Sequence, residues 1–335
     1  IPRMMTVPPA FFKQAVLEEF PYPVKAAYMQ CVNPLLGYAD SRRTYEALMK
    51  LDFFAISDVF MTPTAALADI VLPAATHFEF NDIGHYGLGH GYIVARPKVV
   101  DPPPECWPDN KILNELGRSL TPLEYWHENH EDLLEDLLAP SGLNYSRFVE
   151  QGYLKGADKF KKYEVSGFRT PTGKVELLLS RAEKFKLSPL PQFTGLPEEE
   201  DPDYPLVLTS SKSPYYLHSS YRWVDRLRKL SPHPETEIHP ETAAKYNIGE
   251  GDEVIVETKS GEIVQIAHLT NKVHPKVIHA AYGWWFPEGK AELQYEWVRA
   301  NFNILTSTET LGNEFGTPNL KGIGCRIRRK QEEHH

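Results

Sequence analysis

The stretch Asp52–Glu79 constrains the fold more than any other part of the chain. It holds two short apolar runs, Phe53–Ile56 and Ile70–Leu72, on either side of a small-residue segment. Phe53-Phe54-Ala55-Ile56 is too short for a buried helix and suits a strand covered on both faces. Ser57-Asp58 follows at its carboxyl end. Thr62-Pro63-Thr64 reads as an N-cap with proline at the first helical position, opening a short helix through Ala68. Ile70-Val71-Leu72-Pro73 reads as a second buried strand closed by proline. Strand, polar pair, helix start and strand make a βαβ unit. In open α/β sheets ligands sit outside the carboxyl ends of the strands, so Ser57 and Asp58 are the first ligand-binding candidates.

A second unit of this kind precedes it. Lys25–Val32 is a strand candidate ending at Asn33-Pro34, and a helix carrying Tyr45–Met49 follows. Asn33 thus occupies a position like that of Ser57 and Asp58, although an Asx-turn before proline also explains it. Ala10–Glu19 reads as a short helix. Asp109–Gly117 begins another, with Asp109 as N-cap or first-turn acid and positions 112, 113 and 116 facing inward. Residues 121–165 read as helical with a solvated acidic face. The loop 81–91 carries His85 and His90, which without a third nearby ligand read as loop features rather than a metal site.

Length and composition narrow the function. At 335 residues the chain is long enough for two domains. A net charge of −9 argues against a nucleic-acid partner. No apolar run is long enough to span a membrane, and no signal peptide is visible. Cys31, Cys106 and Cys325 lie far apart, which excludes a zinc site or iron–sulfur cluster built from cysteine alone. The proline-rich, acidic segment 187–204 marks a boundary between an α/β domain, 1–186, and a second domain, 205–335. In the latter, Leu206–Thr209, Glu253–Thr258, Ile263–Ala267 and Lys276–Ala280 are short β candidates, with a turn at Lys259-Ser260-Gly261. Glu237–Tyr246 reads as a helix entered through proline. A mostly β barrel with one or two helices is the simplest architecture.

Several of these motifs occur in the same order in one family. Ser57–Ala65 followed by Ala68–Ala74 resembles the second half of the molybdopterin-binding domain of the dimethyl sulfoxide reductase superfamily. Ile238-His-Pro-Glu-Thr-Ala with Ile248-Gly-Glu-Gly-Asp-Glu-Val is similar to that superfamily's pterin-dinucleotide-binding domain, a six-stranded double-psi barrel. Gly167–Leu177 resembles a recurring hairpin there, and Gly316–Ile327 its last strand. The resemblance covers nearly the whole chain and implies the C-terminal half of such an oxidoreductase: a partial doubly wound parallel-sheet domain, then the barrel.

The resemblance also implies a ligand, bis-molybdopterin guanine dinucleotide with Mo or W, and residues to hold it. The family's guanosine-contacting turn ends in Asn-Pro. This chain keeps Asn33-Pro34 without the glycine pair common there. Ser57, Asp58 and Asp109 fall on the same domain, and a carboxylate at Asp109 suits the donor edge of guanine. In the barrel, Thr209, His218 and Ser219 match positions facing the pterin. Ser210 replaces a family glycine, and Lys212 is the candidate stand-in for an arginine. Trp285 matches an aromatic that packs on guanine or pterin, although a bare Trp284-Trp285 pair reads as core. Asn303 and Thr306 match an Asn-x-Leu-Thr motif, where an amide pairs with a pterin edge, and Lys321 is a loosely placed phosphate candidate. The family's four-cysteine iron–sulfur motif and its metal-ligand region have no counterpart here, so no catalytic or metal-ligating residue is assigned. The implied partners are an N-terminal half or separate subunit and an iron–sulfur electron-transfer subunit. The alternative is a non-catalytic cofactor-binding or scaffold module on the same fold.

Overall fold

The structure, a computed structural model, describes residues 7–85, 91–156, 160–190, 193, 201–312 and 316–331. His90 of the histidine pair and half of the 187–204 boundary segment lie outside the described residues.

The Asp52–Glu79 stretch forms the centre of a three-stranded sheet in the order β1-β2-β3, with β1 Ala26–Gln30, β2 Phe53–Asp58 and β3 Ile70–Pro73. The Asp69 amide donates to the Phe54 carbonyl and the Ala74 amide to the Asp58 carbonyl, so the pairing advances in the same direction on both strands. That direction is the signature of a parallel ladder. Being central, β2 is buried from Phe54 through Ser57, as its apolar run predicts. The outer strand β3 is not buried as expected: Ile70 is 46% exposed. The helix between them shrinks to one 3-10 turn, Ala65–Leu67. Its N-cap is Thr64 rather than the expected Thr62, although Thr62 Oγ1 accepts from the Ala65 amide at 3.2 Å.

A second, antiparallel sheet joins β4 Asp82–His85, β5 Tyr92–Arg96 and β6 Tyr153–Lys155. The acidic region 121–165 is broken into helices His130–Leu138, Tyr145–Gln151 and Tyr163–Ser166, with β6 among them. In the helix Asp109–Leu120 only Ile112 of the three expected apolar positions is buried, while Leu113 and Leu116 are 39% and 40% exposed. Gly117 takes the inner face instead, because a Cβ there would meet the Trp126 ring at 2.1 Å. Gly167–Gly173 turns as expected, with the Phe168 amide bonded to the Gly173 carbonyl, but no strand flanks it.

The barrel comprises β7 Leu206–Ser211, β8 Glu235–Ile238, β9 Glu253–Thr258, β10 Gly261–Leu269, β11 Val277–Ala281 and β12 Ile323–Arg329. It closes in the order β10-β8-β11-β7-β12-β9. Its residues alternate inward and outward at the strand period, so Leu206, Leu208, Val254, Val256, Ile263, Ala267, Ile278 and Ala280 fill the interior. The β9–β10 hairpin turns at Lys259-Ser260, with Thr258 opposite Gly261. Two parallel pairings, β10 with β8 and β11 with β7, interrupt the antiparallel ladders. Glu237 and Ile238 belong to β8, and the helix expected over 237–246 begins only at Pro240, because the proline supplies its first position. This is the expected class: a partial doubly wound α/β sheet followed by a six-stranded double-psi barrel.

Contacts in space divide the chain differently from its linear order. One compact unit contains Ile1–Ile56, Met61–Ile70 and Arg181–His335, and the other Ser57–Phe60 and Val71–Ser180. The first unit unites the barrel with residues 33–41. Leu35 and Leu36 are fully buried within the barrel's apolar cluster. No helix among the described residues is long and apolar enough to cross a membrane.

Candidate cofactor-binding site

The sequence candidates fall into two groups, each within one unit. In the barrel-containing unit, β1 ends at Gln30, the next residue Cys31 takes φ 54°, and the chain turns into the short helix Pro34–Gly37. Asn33 stands at that turn. Its Oδ1 accepts from the Thr64 hydroxyl at 2.6 Å, and its Nδ2 donates to the Ser219 hydroxyl at 3.1 Å. Thr64 Oγ1 in turn accepts from the Leu35 amide at 3.1 Å. Thr64 is fully buried while Asn33 and Ser219 are half-buried. A primary amide has two N–H donors, so fixing one to Ser219 orients the other. The cluster is neutral and polar, the chemistry that pterin and guanine edges require.

His218 and Ser219 lie against the segment 282–285. Gly283 has φ 67°, and a Cβ on it would stand 2.9 Å from the His218 carbonyl oxygen, so only glycine permits this approach. His218 itself is non-glycine at φ 52°, a conformation costing about 1 kcal/mol. Its imidazole is exposed and meets the Tyr282 ring edge-on at 5.9 Å. The Ser219 carbonyl accepts from Trp285 Nε1 at 2.8 Å. Trp285 is 2% exposed and packs between Trp223 and Tyr295, so it supports Ser219 from behind and offers no open face for stacking. Thr209 is half-buried on β7 opposite His279, and Lys212 and Lys321 are exposed.

Asn303 and Thr306 differ from the sequence expectation. Both are 1% exposed. Asn303 Nδ2 donates to the Leu36 carbonyl at 2.8 Å. Thr306 Oγ1 accepts from the Asp40 amide at 2.9 Å and lies 3.1 Å from the Asn303 carbonyl. Asn301 adds bonds to the Leu35 carbonyl and the Ser41 hydroxyl at 3.1 and 2.9 Å. The motif therefore stitches residues 35–41 to the barrel, and its amides and hydroxyl are committed to the protein. Backbone carbonyls buried there need these partners.

In the other unit, Ser57 is fully buried and its hydroxyl donates to Asp109 Oδ1 at 3.2 Å. Asp109 is half-buried at the first position of its helix, after Pro108, and is a first-turn acid rather than a side-chain cap. Asp58 is half-buried; its Oδ1 accepts from the Phe60 amide at 3.3 Å, which holds the turn after β2. The two carboxylates and a hydroxyl here suit the donor edge of a guanine. His85, ending β4, is exposed, and no group of three or more His, Cys, Asp or Glu among the described residues is placed to hold a metal ion.

Sequence reasoning missed Thr64 and Arg222. Thr64 looked like part of a helix cap, and nothing local signals its bond to Asn33, 31 residues away. Arg222 between Tyr221 and Trp223 carries only a faint mark, a cation flanked by aromatics.

Comparison with known proteins agrees with this architecture. Residues 6–119 match the family described as "Molybdopterin oxidoreductase", and residues 206–324 match the "Molydopterin dinucleotide binding domain". The chain is 30% identical to acetylene hydratase of Syntrophotalea acetylenica over 95% of its own length and 45% of the relative's. It is 28% identical to trimethylamine-N-oxide reductase of Haemophilus influenzae, covering 80% of this chain and 37% of that protein. Among solved structures, acetylene hydratase from Pelobacter acetylenicus superposes with a TM-score of 0.89 at 28% identity, covering 95% of this chain and 46% of the other. The chain belongs to the molybdopterin oxidoreductases of the dimethyl sulfoxide reductase superfamily. It spans less than half the length of these relatives.

Proposed function

We propose that this chain is the pterin-dinucleotide-binding portion, the C-terminal half, of a molybdenum or tungsten oxidoreductase acting on a small substrate by oxygen-atom or electron transfer. The observation that carries the reading is the polar chain Thr64–Asn33–Ser219, which ties the turn after β1 to the barrel beside an exposed His218. The donor set fits the cofactor: neutral amide and hydroxyl groups for pterin edges, and carboxylates at Asp58 and Asp109 for guanine donors. In the barrel-containing unit the residues that would hold cofactor groups are Asn33, Thr209, His218 and Ser219; in the other unit, taken by itself, the guanine-binding candidates are Ser57, Asp58 and Asp109. When bound, the cofactor supplies the metal at which oxygen or electrons are exchanged. The protein's part is to bind, orient and exclude water. Asn33 is fixed by Thr64 before any ligand arrives, so its remaining donor is pre-oriented.

Catalysis in this reading needs the complementary half of the enzyme, on the same polypeptide or a separate subunit, with an iron–sulfur subunit as electron partner. The relatives' names include a hydratase and an N-oxide reductase, so the substrate is set by groups beyond those described here. The test is the molybdenum, tungsten and pterin content of the purified chain, by metal mass spectrometry and by pterin fluorescence after oxidative release. Near-stoichiometric cofactor, falling severalfold in Asn33→Ala or Ser219→Ala with unchanged melting temperature, supports the reading. A folded chain that takes up no cofactor even when its complementary half is co-expressed refutes it.

A further inference from the structure

The backbone around His218 is held by a buried cation outside the set of matched motif residues. Arg222 is 3% exposed. Its guanidinium lies between two rings, 4.7 Å from the Tyr216 centroid and 4.8 Å from that of Trp284. Nη1 donates to the His218 carbonyl at 2.7 Å and Nη2 to the Tyr282 carbonyl at 3.1 Å. Its Nε is buried without a partner, and no carboxylate pairs with it among the described residues. Burial pushes this guanidinium down to about 9, still charged at neutral pH. An apolar side chain of the same volume would fill the space without this desolvation, so packing alone gives no reason for an arginine.

We propose that Arg222 is a positioning residue, clamping the carbonyls of His218 and Tyr282 together so that the His218 imidazole and Ser219 hydroxyl face the pterin cofactor. The proposal rests on the cofactor reading above. Three observations meet at this point. His218 sits in a left-handed conformation that persists only where its surroundings fix it. Gly283 lacks the Cβ that would push the His218 carbonyl away. The two carbonyls belong to residues 64 positions apart, His218 and Tyr282, and the planar fork of one guanidinium reaches both. A lysine offers a single point charge and cannot span them in the same geometry.

The test uses the full chain with molybdopterin guanine dinucleotide as the probe, measuring affinity and melting temperature for R222M, R222K, H218G and the doubles R222M/H218G and R222K/H218G. Arg222 acting through His218 lowers affinity about tenfold in R222M and R222K, and adds less than about twofold once His218 is glycine. Melting-temperature losses add across the same variants. If R222M does not fold, R222K and its double carry the comparison. R222K binding like wild type, or equal loss in both His218 backgrounds, overturns the proposal while the cofactor reading stands. A wild-type chain that binds no cofactor even with its complementary half co-expressed overturns both.

Discussion

Two asparagines, Asn33 and Asn303, each belong to a matched motif, yet the fold uses them in opposite ways. Asn303 is 1% exposed and donates to a main-chain carbonyl, with Thr306 and Asn301 closing the same stitch. Asn33 is half-buried, and its partners are two side chains, Thr64 and Ser219. The first asparagine satisfies backbone groups that burial would otherwise strand. The second is oriented by its partners while part of it stays accessible. Identical side-chain chemistry therefore becomes scaffold or site according to whether its hydrogen bonds end on buried backbone or on other half-exposed side chains.

The sharpest way to break this comparison is Asn303→Ala. Losing the amide strands the buried Leu36 carbonyl and should cost about 3 kcal/mol of stability, read as a lower urea midpoint. If stability holds and only cofactor content falls, Asn303 is a site residue after all.

Lys13 probes the same stitched segment from its other side. It is fully buried, and its amine donates to the Ala39 carbonyl at 2.6 Å. Desolvation lowers it to about 8, below its ordinary 10.5. Between those values the unfolded chain binds more protons, so this group makes stability rise with pH from about 8 to 10.5, by roughly 2–3 kcal/mol. Below pH 8 that gain is absent. Urea midpoints at pH 7.5 and 10 should show the rise in wild type and lose it in Lys13→Met; equal pH slopes in the two proteins would contradict the assignment.

Gly283→Ala tests the accessible side. A methyl at φ 67° against the His218 carbonyl should cost about 2 kcal/mol and displace the strained loop, reducing cofactor retention as well as melting temperature. Retention unchanged at lowered stability would separate the loop from the site.

The smallest stability effects belong to the half-exposed group. Ser219→Ala and Asp58→Ala should each change stability by less than about 1 kcal/mol, since both positions keep access to water. Their effect should appear in pterin retention. A large loss of stability in either would place them with Asn303 rather than with Asn33.

How legible this was depended on the range of the interaction. The apolar run Phe53–Ile56 announced a central strand because its burial follows from its own residues, whereas Ile70–Leu72 looked alike and became an edge strand half-open to water. Trp285 illustrates the same limit in the site: its identity allowed stacking or core, and only its 2% exposure decides for core. Leu113 and Leu116 followed a helical period but had no partner on that face, since Trp126 closes on Gly117 instead.

By itself the sequence determined the element types, the order of α/β sheet before barrel, and the family, because period, turn chemistry and motif order are local properties written residue by residue. Tertiary structure alone decided that residues 33–41 fold with the barrel, that Thr64 fixes Asn33, that Arg222 holds His218, and that Asn303 is spent on backbone. Those outcomes depend on hydrogen bonds between distant positions, such as Thr64 to Asn33, Arg222 to Tyr282 and Asn303 to Leu36, and on which faces are left without water. A local pattern does not encode burial that other segments supply.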